Sequence, residues 1–546
     1  MSVNMTETIT IERMGYGAEA VGHLPDGKTV FVEGGAPGDV ASVEVVEDKP
    51  TFARARIAKL EQPGACRVMP KWAEPAASGA APWQHIAYDA QLEAKRANVV
   101  AALARTGGFG DAAAELVAPC LPSKRQWGYR NKLELGAQWD AKGTFNLGFH
   151  QEGSPDVMQA LSCPLAHDAI AKAPKALRGA LRYLQGSDDL GIFRVGVRTS
   201  VRTRETEIAL WTRPSGFPRA AAAKMLKSSL KATSVVRVIA DPGKARKIKG
   251  LEVLDGKGCW QEQLLGARYV AHAPSFFQVN TAQAEKLMEQ AIRMLGGSVG
   301  EDGPEGLDGL LVADLYAGCG TFGVAMARAG ADVIAVESAA SSVRDLRRNA
   351  DENYVDIDVI GGDAARELPE LGGLDALVVD PPRAGLADGV PADIAAARPG
   401  RVVYVSCNPA TWARDVRRFE DVGYRLERVQ PVDLFPQTYH VETVAVLSRK
   451  SASKSFIPVS ISPKDMGLPE EKDQPTHANI RDYVQKTHGM KVSSLYVAQM
   501  KAECGLETQA DRSGDKKQPK CPPEKREAIL DAFRHFGLIG EDETEK

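Results

Sequence analysis

Four near-continuous apolar runs constrain this chain most: LLVADLY at 310–316, DVIAVE at 332–337, ALVVD at 376–380 and RVVYVS at 401–406. A strand with one wet face alternates polar and apolar side chains. A strand apolar at nearly every position belongs to a parallel sheet covered on both faces. Helical stretches separate the four runs, so the pattern predicts a doubly wound α/β sheet of the Rossmann-like kind. Ligands of such sheets bind beyond the carboxyl ends of the strands. The residues that close or follow the four runs are therefore the first functional candidates.

The rest of the 546 residues exceeds one core, and the pattern changes along the chain. Residues 1–60 carry short β-rich stretches at 8–12, 29–32 and 41–46 between frequent glycines, which predicts a small β-barrel of the oligonucleotide-binding type. Residues 61–95 read as an irregular linker, with a helix from about 89 to 105. Residues 96–270 read as a central α/β insert that binds RNA, and 271–450 as the doubly wound domain. A polar, proline-bearing linker at 451–474 leads to a helical C-terminal extension over 475–546, with Lys516, Lys517, Lys520, Lys525 and Arg526.

Charge narrows the partners. Lysines and arginines number 68 and acids 71, a formal net charge of -3, so any nucleic-acid contact must come from local basic patches. No apolar run approaches the length of a membrane span and no leader pattern opens the chain; a cytoplasmic, monomeric protein with no membrane partner is expected. The eight cysteines are scattered and include no Cys-x-x-Cys pair, which points away from disulfides and local metal sites and toward a single reactive thiol.

DLYAGCGTFG at 314–323 joins the first run to a helix through Gly318, Gly320 and Gly323. Glycines there allow a tight turn and close approach of a ligand. The next run ends in Glu337, whose carboxylate can accept from two ribose hydroxyls. Both features suit a dinucleotide or S-adenosylmethionine. VVDPPRAGL at 378–386 sets Asp380 at a strand end before two stiffening prolines, an arrangement similar to that of nucleobase methyltransferases and foreign to nicotinamide dehydrogenases.

YVSCNPATWARD at 404–415 places Cys407 directly after another strand. Carbon 5 of uracil is a weak nucleophile until a thiolate adds at carbon 6, and Cys407 is placed for that covalent step. A base must later remove the carbon 5 proton. Glu442, opening the apolar strand of HVETVAVLSR, is the favoured candidate and His440 its rival, because an unpaired buried carboxylate is costly without a role. A methyltransferase acting on an exocyclic amine would need neither Cys407 nor Glu442. An RNA-binding module on a vestigial fold would need no intact cofactor loop.

YRNKLEL, FFQVN, DLYAGCGTFG, VVDPPRAGL, YVSCNPAT and HVET occur in this order, after a start that resembles the TRAM domain, an RNA-binding barrel. Together they closely resemble the RNA uridine-5-methyltransferase family that modifies 23S ribosomal RNA and the tRNA T-loop. The resemblance implies S-adenosylmethionine as cofactor, held by Gln278, Tyr316, Glu337 and Asp380, with Thr321 and Asp363 as further contacts. It implies Cys407 as nucleophile and Glu442 as base. Many members also hold a four-iron cluster on four cysteines. Here SGAAPWQH at 78–85 has Ser78 and Ala81 in two of those places, leaving Cys66 and Cys163, so no iron–sulfur cluster and no metal are expected. The TRAM-like start favours 23S ribosomal RNA over tRNA as substrate.

The target uridine must be presented from a loop or flipped out. Lys124, Arg125, Arg130, Lys132, Arg194, Arg198, Arg202 and Arg204 are candidates for a phosphate path, with Trp127 and Tyr129 to stack bases. Lys244, Arg246, Lys247 and Lys249 form a second basic run. A solvated strand face explains either cluster equally well.

Overall fold

The computed structural model describes residues 6–73, 79–151, 153–186, 188–243, 247–450, 477–490, 492, 494–506 and 521–540. The linker expected at 451–474, and Ser78, Lys244, Arg246, Lys516, Lys517 and Lys520, lie outside the described residues. The chain divides into two compact units. One comprises 1–287 with 406–413 and 429–444; the other comprises 288–405, 414–428 and 445–546.

The first unit opens with a closed five-stranded barrel: β1 (Thr6–Met14), β2 (Ala20–His23), β3 (Thr29–Glu33), β4 (Val40–Asp48) and β5 (Phe52–Gln62), in the order β1-β2-β3-β5-β4. Alternate residues fill it, among them Ile9, Ile11, Val30, Val32, Val43 and Ala55. A side chain at Gly22 would meet the Thr10 carbonyl at 2.8 Å, so the close pairing of β1 with β2 requires glycine there. Asp39 ties the barrel to the segment after it. Burial alone would raise its pKa, but the Arg67 guanidinium and the N–H groups of Gly64 and Ala36 outweigh that and hold it below the usual carboxylate range.

Helix α1 (Tyr88–Arg105) and a short turn, α2 (Ala113–Leu116), follow. The central region is a seven-stranded sheet of order β12-β11-β10-β9-β6-β7-β8. Its strands are β6 (Lys132–Trp139), β7 (Phe145–His150), β8 (Val157–Gln159), β9 (Ile192–Ser200), β10 (Glu205–Thr212), β11 (Ser234–Ile239) and β12 (Gly250–Gly256). The helical segments α3 (Asp168–Ala171), α4 (Ala173–Gln185) and α5 (Arg219–Leu230) pack on one face, where Ile170, Leu177, Leu181, Ala222 and Leu226 meet Leu133, Leu135, Val195, Val197 and Leu210. The hairpin β13 (Trp260–Leu264) and β14 (Ala267–Ala271) then leads to α6 (Thr281–Leu295).

A small hairpin, β15 (Ser298–Gly300) with β16 (Gly303–Glu305), precedes the second large sheet. That sheet runs β19-β18-β17-β20-β21-β23-β22, from β17 (Leu311–Leu315), β18 (Asp332–Glu337), β19 (Ile357–Gly361), β20 (Ala376–Val379), β21 (Arg401–Ser406), β22 (Tyr424–Val432) and β23 (Glu442–Arg449). The first five are parallel, as the apolar runs require. Between them run α7 (Thr321–Arg328), α8 (Ala340–Glu352), α9 (Ala364–Glu367), α10 (Val390–Ala397) and α11 (Pro409–Asp421). The extension folds as α12 (His477–His488), α13 (Ser494–Glu503) and α14 (Pro523–His535) around Ile480, Val484, Val497, Met500, Ile529 and Phe533. Arg481 of α12 pairs with Asp332 at 3.3 Å and Asp356 at 3.6 Å. No helix of the described residues is long and apolar enough to cross a membrane.

Candidate active site

In the second unit the loop after β17 turns through left-handed backbone at Tyr316, Gly318 and Gly320 (φ 62°, 58° and 85°). The two glycines adopt this at no steric cost, whereas Tyr316 carries strain of about 1 kcal/mol or more. Glu337 organises the loop: its carboxylate accepts from the N–H groups of Gly318 at 2.8 Å and Ala339 at 2.6 Å, and each oxygen keeps a second lone pair. Tyr316 is half-buried, and burial with the charges of Asp363 and Asp415 raises its pKa. Asp363 caps α9, accepting from the Ala365 N–H at 3.1 Å.

Two desolvated carboxyls mark the carboxyl edge of this sheet. Asp314 is fully buried in β17, and among the described residues neither oxygen meets a well-formed hydrogen bond, although the facing Gly323 N–H favours its charge. Burial, joined by the charges of Asp380 and Glu337, pushes its pKa up to about 8. Asp380 follows β20, packed among protein atoms yet partly open, and burial pushes it up to about 7. Carboxyls so poorly served by their surroundings suit a cationic ligand. With the glycine loop and Glu337 they fit S-adenosylmethionine, which bears a sulfonium and an ammonium beside a ribose.

The loop after Asp380 is held by a residue to which the sequence reading gave no role. Asp415 of α11 is fully buried and accepts from the Leu386 N–H at 2.8 Å and the Tyr404 hydroxyl at 2.7 Å. Its other oxygen takes Arg414 and Arg418, and Arg414 also donates to the Ala384 and Leu386 carbonyls. The signal lay in WARD, directly after the cysteine motif.

Cys407 follows β21, whose parallel partner is β20. In the first unit it is half-exposed between that strand and α11, with Asn408 Oδ1 accepting from the Ala410 N–H at 3.0 Å. The Tyr16 hydroxyl of the barrel donates to the Cys407 carbonyl at 3.2 Å. Glu442 opens β23 and is 5% exposed; next to it, the Thr443 hydroxyl donates to the Ser406 carbonyl at 3.1 Å. His440 lies against the rings of Tyr439 (4.2 Å) and Phe435 (5.8 Å). Gln278 is half-buried in the segment after β14, its carbonyl accepting from Asn131 at 3.0 Å.

The profile of the TRAM domain matches residues 2–58, and that of tRNA (uracil-5-)-methyltransferase matches residues 87–371 and 372–450. An uncharacterised RNA methyltransferase of Gloeobacter violaceus is 34% identical over 462 residues, covering 81% of this chain and 96% of its own length. Another, of Thermosynechococcus vestitus, is 34% identical over 457 residues, covering 81% and 98%.

The chain belongs to the tRNA (uracil-5-)-methyltransferase family.

The crystal structure of the Pyrococcus abyssi tRNA (uracil-54, C5)-methyltransferase in complex with S-adenosyl-L-homocysteine is similar too. It has a TM-score of 0.62 and 27% identity, over 81% of this chain and all of that one. This methyltransferase thus joins a TRAM barrel to an α/β S-adenosylmethionine-dependent catalytic fold.

Several of the candidate RNA-contact residues make contacts inside the methyltransferase. Arg198 is buried and donates to the carbonyls of His272, Ala273 and Ser275, so it holds the segment that carries Gln278. Arg202 makes a two-pronged pair with Glu285, at 2.6 and 2.8 Å. Tyr129 is buried with its hydroxyl on the Pro436 carbonyl at 3.1 Å, which leaves no ring face for a base. Arg130 stacks over Phe435, and Arg194 over Trp211. Burial and the neighbouring Arg198 charge bring Lys132 down to about 8. Lys124, Arg125 and Arg204 remain exposed, and Trp127 is half-buried under Lys71. The two remaining cysteines of the cluster pattern sit in different cores: Cys66 packs beside the barrel and donates to the Pro37 carbonyl, while Cys163 lies in the core of the central sheet.

Proposed function

We propose that this enzyme methylates carbon 5 of a uridine in 23S ribosomal RNA through a covalent adduct of Cys407 at carbon 6. The observation that carries the reading is the placement of Cys407: half-exposed, directly after Ser406, whose carbonyl is held by Thr443 next to Glu442, and with its own carbonyl held by Tyr16. A helix begins two residues later, and the positive end of a helix favours negative charge on a nearby sulfur.

Gln278, Tyr316, Glu337 and Asp380 hold S-adenosylmethionine, which supplies the methyl group. Thr321 and Asp363 are secondary contacts. Cys407 adds its sulfur to carbon 6 of the flipped uracil, turning carbon 5 into an enolate carbon that accepts the methyl group. Glu442 then takes the carbon 5 proton; the electrons of that C–H bond form the 5,6 double bond, and the carbon–sulfur bond breaks to return the Cys407 thiolate. The products are 5-methyluridine and S-adenosylhomocysteine. The enzyme works as a cytoplasmic monomer.

The TRAM barrel supports ribosomal RNA as substrate. The similarity to the Pyrococcus abyssi tRNA (uracil-54, C5)-methyltransferase supports the tRNA T-loop as the second reading. The test incubates the protein and radiolabelled S-adenosylmethionine with unmodified 23S ribosomal RNA or unmodified tRNA, then identifies the labelled nucleoside. Labelled 5-methyluridine in the ribosomal RNA, lost in Cys407→Ala, is the expected result. Label in tRNA alone moves the substrate. A methylated exocyclic amine, or label that survives Cys407→Ala, overturns the mechanism.

A further inference from the structure

Helix α1 carries an unusual buried stripe: Gln91, Lys95 and Asn98, spaced four and three residues apart, all point inward. Polar side chains are buried only when their hydrogen bonds are met, so the partners of this stripe show what it is for. Asn98 donates to the Gly15 carbonyl at 3.1 Å, and Trp83 donates to the Gly17 carbonyl at 2.9 Å. The residue clamped between them is Tyr16, which holds the Cys407 carbonyl.

Lys95 and Gln91 act on the strap 433–438. Lys95 is fully buried, pairs with the equally buried Asp433 at 2.5 Å and donates to the Phe435 carbonyl at 3.0 Å. Tyr88 adds a hydroxyl on Asp433 at 2.7 Å. Gln283, Asn280 and Tyr129 donate to the carbonyls of Asp433, Leu434 and Pro436. At the end of the strap Gln437 is buried in left-handed backbone, φ 70°. The Gln91 amide accepts from its N–H at 3.0 Å and donates to its side-chain oxygen at 3.0 Å. The Gln437 carbonyl accepts from the Trp83 N–H at 3.0 Å. A strained non-glycine conformation persists only where its surroundings over-determine it. Five residues on comes Glu442, whose neighbour Thr443 is bonded to the residue before Cys407.

We infer that Gln91 is a positioning residue for release of the adduct: through Gln437 it fixes the strap that delivers Glu442. This rests on the reading of Glu442 as the base. The step concerned is transfer of the carbon 5 proton to the Glu442 carboxylate with expulsion of the Cys407 thiolate. Gln91 also donates to the carbonyls of Trp83 and Ile86, so it touches the Tyr16 clamp behind Cys407 as well, but the clamp keeps the Asn98 bond to Gly15 and the Trp83 bond to Gly17 without Gln91, and proton removal is the step that loses most.

The test uses the full-length protein with S-adenosylmethionine and unmodified 23S ribosomal RNA and tRNA transcripts in separate reactions. Acid-quenched single turnovers measure denaturant-stable protein–RNA adduct and 5-methyluridine separately. Gln91→Met keeps the side-chain bulk without its hydrogen bonds. Gln437→Gly removes the side-chain oxygen to which Gln91 donates, keeps the backbone N–H, and loosens the strap at a position where glycine bears no strain, which protects folding. Both are expected to form adduct at within about twofold of the wild-type rate and to resolve it about tenfold or more slowly, so that adduct accumulates. Glu442→Gln sets the ceiling for accumulation. Adduct in Glu442→Gln but none in Gln91→Met or Gln437→Gly overturns the role of Gln91 alone. No adduct in Glu442→Gln overturns the base and this inference together. Equal slowing of formation and release marks Gln91 as structural only.

Discussion

Cofactor affinity should depend on pH in a way fixed by the carboxyls at the sheet edge. Asp380, pushed up to about 7 by burial, is mostly protonated in the apo protein at pH 6 and mostly ionised at pH 8. If the bound cofactor requires the ionised form, the competent fraction is about 0.09 at pH 6 and about 0.9 at pH 8. S-adenosylmethionine should then bind about tenfold more weakly at pH 6, a difference of about 1.4 kcal/mol. Asp314, pushed up to about 8, adds to the slope if it ionises on binding. Both pKa values are raised on folding, so the stability these groups contribute to the apo protein is full below about pH 4 and is lost as pH rises toward 7 and 8. Cofactor should restore it over that window. Calorimetric titration at pH 6, 7 and 8, in buffers of different ionisation heat, measures both Kd and proton release. Asp380→Asn should bind more weakly at pH 8 and lose most of the slope. A flat Kd from pH 6 to 8, or an Asp380→Asn protein with wild-type affinity and slope, would refute the reasoning.

Three further outcomes follow from contacts in the fold. Lys95→Met strands the buried Asp433 carboxylate and should destabilise the protein by about 3–5 kcal/mol in urea unfolding; a loss below about 1 kcal/mol would mean that the pair is wet. Asp415→Asn weakens the charge-assisted grip on the loop after Asp380 and should cost about 1–2 kcal/mol of S-adenosylmethionine affinity, read by titration. Arg198→Met should lower stability yet leave the salt dependence of RNA binding unchanged, because Arg198 serves backbone carbonyls; a slope reduced by about one charge would return it to the phosphate path.

What was legible in the sequence follows from periodicity. The apolar runs became β17, β18, β20 and β21, and strand-end logic put Glu337, Asp380 and Cys407 where chain and sheet meet. In the barrel the stretches at 8–12, 29–32 and 41–46 became β1, β3 and β4, but β2 and β5 were missed: β2 is four residues long, and the inward residues of β5 include the small Ala53 and Ala55, a weak apolar signal. The polar stripe of α1 was illegible for the opposite reason. Gln91, Lys95 and Asn98 look like a solvated face, and only tertiary partners far along the chain, Asp433 and Gln437, reveal them as buried. The same ambiguity misplaced Arg198 and Tyr129: a basic or aromatic residue on a strand reads as an RNA contact until its carbonyl acceptor is seen. Left-handed Tyr316 and Gln437 are non-glycine residues, so nothing in composition announces them.

The most direct test of the central claim is to trap the adduct on RNA in which 5-fluorouridine replaces uridine. Fluorine at carbon 5 leaves no proton for the base to remove, so the adduct cannot resolve. With S-adenosylmethionine present, the account predicts a denaturant-stable complex whose peptide map places one methylated fluorouridine nucleotide on Cys407. A complex on any other residue, or none while 5-methyluridine still forms in ordinary RNA, would contradict it.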